Sequence, residues 1–232
     1  MLRAAIIGIA ALCCGAAQGQ IVAAEFGGPT TRYAHGVLGD AIEYGTLELR
    51  LKGGQGRRIV LPEARVFEDL APRLADLDGD GAPEVIVVES DQNLGARLSV
   101  YGPDGLIAAT PFIGRSNRWL APIGAADLDG DGMVEIAYID RPHLAKLLRV
   151  WRFQNGMLEL VAEAEGLTNH QIGQDFISGG IRDCGQGPEL ITANANWSQI
   201  VATRLEEGRL TTRPLASYAG PRSFAPVLAC GE

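Results

Sequence analysis

Lysine is nearly missing from this chain. Of its 20 basic residues only Lys52 and Lys146 are lysines, against 28 acidic residues, and the net charge is −8. A surface of that sign repels phosphate backbones and anionic lipid, which argues against nucleic acid and membrane surfaces as partners. Histidine is scarce too. His35, His143 and His170 stand alone, with no H-x-x-x-H or H-x-H spacing, and read as hydrogen-bonded loop residues. The sequence has no C-x-x-C, no G-x-x-x-x-G-K-[ST] loop and no G-x-S-x-G elbow. Redox, nucleotide-cradling and elbow-type hydrolase motifs are thereby excluded. The apolar run AAIIGIAALCC at 4–14 falls well short of the roughly 20 residues that a bilayer-spanning helix needs.

What that run does fit is an export leader. Arg3 precedes it, and Ala17-Gln18-Gly19 follows as a small-x-small site for cleavage before Gln20. Val22-Ala23-Ala24 offers a second site, before Glu25. A lipid anchor on Cys14 is the lesser alternative, because Ala11-Leu12-Cys13 makes a poor lipobox. The expectation is a leader at 1–19 and one domain over 26–232, periplasmic or secreted. Loss of the leader removes Cys13 and Cys14 and leaves Cys184 and Cys230. An even pair in an exported chain predicts one disulfide.

The chain repeats itself about every fifty residues. Asp76-Leu-Asp-Gly-Asp-Gly81 recurs as Asp127-Leu-Asp-Gly-Asp-Gly132. LAPRLAD (70–76) matches LAPIGAAD (120–127), and strand-like runs follow each copy, broken at Pro103-Asp104-Gly105 and Asn155-Gly156. A worn third copy, ISGGIRDCGQGPELITA (177–193), sets Asp183 in the place of Asp78. FAPVLAC (224–230) resembles the start of a fourth unit, whose remaining strands lie at 36–63. Four such units predict an all-β chain: a four-bladed propeller closed by pairing of its terminal strands, with a β-sandwich as the alternative. Trp119, Trp151 and Trp197 read as inter-blade packing. The clusters Arg115, Asn117, Arg118, Trp119 and Asn194, Asn196, Trp197 are the polar–aromatic places where a ring's mouth can meet a ligand.

Crowded aspartates repel one another unless a cation sits among them. In the first loop Asp76, Asp78 and Asp80 occupy alternate positions, Gly81 makes the turn, Ala82 offers a carbonyl and Glu84 opens a strand. Asp127, Asp129, Asp131, Gly132, Met133 and Glu135 repeat the pattern. Hard oxygens in this number suit calcium. An EF-hand is excluded, because its twelfth position would be Val87 or Tyr138 and a strand follows instead of a helix.

The pattern D-x-D-G-D-G-x-x-E followed by an apolar strand, repeated about every fifty residues, resembles the FG-GAP/VCBS repeat class. That resemblance implies propeller blades whose edge loops hold calcium. It implies Asp76, Asp78, Asp80 and Glu84 as ligands, and likewise Asp127, Asp129, Asp131 and Glu135. Two structural calcium ions are expected. With no acid–base set visible outside these loops, the favoured reading is an exported, non-enzymatic binding or scaffold module for a protein or glycan. The alternative is a hydrolase or lyase acting on polysaccharide.

Overall fold

The computed structural model describes residues 19–231, so the expected leader, apart from Gly19, lies outside the described residues. The fold is all-β. The strands of the first unit are β1 (Ile21–Thr30), β2 (Glu43–Leu51), β3 (Gly56–Val60) and β4 (Arg65–Phe67). The next unit has β5 (Arg73–Ala75), β6 (Glu84–Asp91), β7 (Gly95–Gly102) and β8 (Gly105–Ala109). The third has β9 (Leu120–Ala126), β10 (Glu135–Asp140), β11 (Leu147–Gln154) and β12 (Met157–Glu165). The last has β13 (Leu167–Thr168), β14 (Gly180–Asp183), β15 (Pro188–Asn194), β16 (Gln199–Glu206) and β17 (Arg209–Ser217). Val22, Ala23 and Ala24, the second candidate cleavage site, lie inside β1.

Local chemistry explains these elements. β2 alternates buried and half-exposed residues, as a strand with one covered face must, whereas β6 is buried along its whole length. Asn155-Gly156 closes the β11–β12 hairpin with φ of 53° and 71°, the left-handed pair that a two-residue turn requires. A bulge falls at Tyr101 in the β7–β8 pair and at Trp151 in the β11–β12 pair, so the two units match down to their irregularities.

The strands form three sheets rather than four separate blades. β4 and β5 both pair with β6, and β4 also pairs with β2, which fuses the first two units into one eight-stranded sheet. β9–β12 make a four-stranded sheet and β13–β17 a five-stranded one. Three apolar clusters fill the spaces between successive units. Phe67, Val85 and Tyr101 join the first two, Leu98, Trp119 and Ile136 the next, and Leu148, Leu190 and Val201 the last.

Two expectations are corrected here. Residues 224–230 were to be the strand that closes the ring, but Phe224–Leu228 forms a short helix, α1. The reason is spacing. Phe224 and Val227, three apart, bury one helical face against Ile191, Ala193 and Ile200, and Pro226 sits in a first turn that needs no N–H. Among the described residues β1 pairs only with β2, so the terminal strands do not close a ring. The predicted Cys184–Cys230 disulfide is present, with Cα atoms 5.7 Å apart. It ties the end of α1 to the loop between β14 and β15.

Candidate functional site

The first acidic loop joins β5 to β6. Asp76 accepts hydrogen bonds from the amides of Gly79 (2.8 Å) and Gly81 (3.0 Å), and Glu84 Oε2 accepts one from Leu77 N (2.9 Å). Gly79 and Gly81 have φ of 76° and 86°, a backbone that side chains resist. The loop thus turns Asp76, Asp78 and Glu84 inward, with carboxylate oxygens within 4.8 Å of one another. Burial pushes the Glu84 carboxyl up in pKa, and Asp78 and Asp80 add repulsion. Among the described residues no cationic side chain is ion-paired with this loop. Asp80 stands apart from the cluster, accepting from the amide of Ala82 at 2.7 Å.

The second loop, from β9 to β10, repeats the geometry with Asp127, Asp129 and Glu135. Asp131 stands outside the cluster and accepts from the amide of Met133 (2.9 Å). Unlike the first loop, it holds a cation of its own. Arg152 reaches Asp129 (2.7 Å), Asp131 (2.9 Å) and Glu135 (2.6 Å). Asp129 Oδ1 remains buried with no partner. Both donor sets, carboxylates gathered by backbone amides, fit a metal ion. The third loop is two residues shorter, and pairing of Asp183 with Pro188 aligns Asp183 with Asp76, not with Asp78 as the sequence had suggested. Its Glu189 is gripped by Arg182, Arg204 and Arg213. Burial opposes ionisation of Glu189, but those hydrogen bonds hold its pKa at about 2.

A second site lies beyond the C-terminal end of β10, away from the acidic loops. Three stretches of chain leave the sheets there: the β1–β2 connection, the 68–72 break between β4 and β5, and residues 169–179 between β13 and β14. The first and last of these, with the β8–β9 and β10–β11 loops, line a cavity of about 200 Å³. Its lining includes His35, Asn117, Arg118, Arg141, His143 and Ile172. Leu144 and Ile172 give it an apolar rim, Ile172 being 83% exposed. Asn117 and Arg141 hold φ of 53° and 49°, strain of the kind that gathers where side chains must be aimed.

The three histidines meet at this place. His143 Nε2 lies 2.8 Å from His170 Nδ1, and His170 Nε2 lies 3.0 Å from the carbonyl of Gln174. A carbonyl only accepts, so His170 carries its proton on Nε2 and presents a lone pair at Nδ1. His143 must then donate from Nε2, which leaves its own lone pair on Nδ1. Burial, with His170, His35 and Lys146 nearby, pushes the His143 pKa down to about 4. His35 Nδ1 is 2.6 Å from Glu68 Oε1, and Ser90 donates to the other oxygen of that fully buried carboxylate. Arg118 bonds the carbonyl of Asn117 (2.8 Å) and has no ion pair among the described residues, whereas Arg141 is paired with Asp140.

Trp119 is 2% exposed and donates to the carbonyl of Glu68, and Trp151 is buried as well. Both pack, as expected, and Trp119 also lines the cavity, together with the flanking Asn117 and Arg118. The sequence missed the histidines, because no local spacing joins residues 35, 143 and 170.

Comparison with known proteins places one part of the chain. Residues 76–138 match the FG-GAP-like repeat. The repeat resemblance is thereby borne out over both acidic loops. No curated protein matches the chain. Similar solved structures include the rhamnogalacturonan lyase YesW, with 18% identity and a TM-score of 0.45 over 78% of this chain and 44% of that one. The exotype rhamnogalacturonan lyase YesX gives 18% and 0.45 over 72% and 40%. A Bacillus licheniformis rhamnogalacturonan lyase gives 16% and 0.45 over 88% and 50%. The chain spans half or less of the length of these proteins. All three bear the names of polysaccharide lyases, the class of the alternative reading rather than of the expected non-enzymatic module. The expectation of a non-enzymatic module rested on the want of a convergent set of titratable side chains in the sequence, and the fold brings three histidines together at the cavity. Among the described residues no helix is long and apolar enough to cross a membrane.

Proposed function

We propose that this chain acts on an anionic, uronate-bearing polysaccharide by β-elimination in the histidine cavity. The observation that carries the reading is the His143–His170 pair, which supplies a neutral imidazole base beside the Arg118 guanidinium. Elimination from a uronate needs a base for the proton next to the carboxylate, and a cation to hold the charge that develops there. His143 Nδ1 takes the proton and Arg118 neutralises the carboxylate. The C–H electron pair becomes the double bond, the C–O bond to the neighbouring sugar breaks, and the leaving oxygen takes a proton from His35, which Glu68 orients. Hydrolysis would need two carboxylates flanking the bond, and among the described residues none lines this cavity.

The acidic loops are read as structural calcium sites. Asp76, Asp78 and Glu84, or Asp127, Asp129 and Glu135, form the core of each shell. Asp80, Asp131 and the carbonyls of Ala82 and Met133 are candidates to complete them. Calcium pins the entries of β6 and β10, the units behave as an arc of propeller blades, and the chain works outside the cytoplasm.

Rhamnogalacturonan and polygalacturonate are the substrates to try, with the unsaturated uronate product followed by its ultraviolet absorbance. The wild-type chain should form product, His143→Ala should abolish it and Arg118→Ala should raise KM. Folded chain that yields no unsaturated product from any uronate polysaccharide overturns the proposal.

A further inference from the structure

Glu84, Glu135 and Glu189 stand at the entries of β6, β10 and β15, the same place in three successive units. Val85 pairs with Tyr101, which sets Gly102 across from Glu84. Glu135 pairs directly with Arg152. Leu190 pairs with Thr203, which sets Arg204 across from Glu189. One register position therefore carries glycine, arginine and arginine in turn.

Each loop differs in what balances its charge. Among the described residues the first has no arginine or lysine paired with Asp76, Asp78, Asp80 or Glu84. In the second, Arg152 alone contacts three carboxylates. In the third, the middle aspartates are gone and three arginines surround Glu189. Where the metal ligands have been lost, an arginine at this register position does the balancing.

We infer that Arg152 is a built-in counter-cation of the second loop, so that the two acidic loops are not equivalent metal sites. This rests on the calcium reading given under Proposed function. The first loop depends on the divalent ion for its form. The second keeps its form through Arg152 and binds the ion more weakly, because the guanidinium repels it. Weaker does not mean abolished: the guanidinium takes Asp129 Oδ2 and Glu135 Oε1, while Asp129 Oδ1 stays buried and unpartnered. That oxygen remains for an ion.

The test is calcium titration of the chelator-stripped, full chain by calorimetry, with hydrogen exchange measured over residues 77–84 and 128–135 in chelator. Binding should occur in two steps, the second weaker by about tenfold or more, as an added like charge close to the ion requires. In chelator 77–84 should exchange quickly while 128–135 stays protected. Arg152→Gln should tighten the second step and make 128–135 exchange quickly in chelator. Asp78→Asn should remove the tight step and Asp129→Asn should leave it, a pair that decides the matter even if Arg152→Gln does not fold. Two equal steps, equal exchange of both loops in chelator, or loss of the tight step in Asp129→Asn overturns the inference. No calcium uptake by the wild-type chain overturns the calcium reading instead.

Discussion

His143 Nε2 donates to His170 Nδ1 across 2.8 Å. The two residues are 27 positions apart in the chain and belong to different sheets' connections. Their bond, anchored on the carbonyl of Gln174, fixes both tautomers and leaves His143 with a basic nitrogen at the cavity.

The first prediction concerns acid stability. The His143 pKa is lowered from 6.5 to about 4 in the fold. Between those values the unfolded chain binds the proton and the folded chain does not, so stability is lost as pH falls. The contribution is full above about pH 6.5 and disappears toward pH 4. Thermal melts across that window should fall more steeply for wild type than for His143→Gln.

Glu43 gives the opposite sign. It is buried, and burial followed by the charges of Glu68, Asp40 and Asp69 raises its pKa from 4.5 to about 9. The folded chain keeps this proton where the unfolded chain has released it, so stability falls as pH rises from 4.5 through 9. Glu43→Gln mimics the protonated acid. Denaturant melts at pH 7 should show it stabilised by about 1–3 kcal/mol, with the gain vanishing near the ordinary carboxylate pKa.

Buried Glu189 balances three arginines, of which Arg182 is itself 9% exposed. Removing Glu189 strands the charge of Arg182. Glu189→Ala should cost about 3–5 kcal/mol in urea melts, the range for breaking a buried ion pair on one side. A cost below 1 kcal/mol would mean that the arginines find solvent at once.

The Cys184–Cys230 bond closes a loop with a sequence separation of 46. Reduction should cost about 2–4 kcal/mol on the chain-entropy account. The loss should show first as faster hydrogen exchange in α1, whose other anchors are Phe224 and Val227.

The repeat, its turns and its acidic loops were readable because they are local. Asp76-Leu-Asp-Gly-Asp-Gly81 and Asn155-Gly156 state their backbone shape in a few adjacent residues, and one disulfide follows from a pair of cysteines. Closure of the ring was not local. FAPVLAC looked like LAPRLAD, but helical spacing of Phe224 and Val227 decided otherwise. The cavity was least visible, since His35, His143 and His170 share no spacing. They lie in the β1–β2, β10–β11 and β13–β14 connections, and only the tertiary fold brings those together. Arg152 also escaped notice, because its meaning lies in the strand pairing opposite Glu135.

Nitrogen-15 spectroscopy of the histidine rings in the folded, full chain tests the central claim most directly. His143 should carry its proton on Nε2, show a bare Nδ1, and stay neutral down to about pH 4. A ring protonated on Nδ1, or one that takes up charge near pH 6.5, would contradict the assignment of His143 as the base.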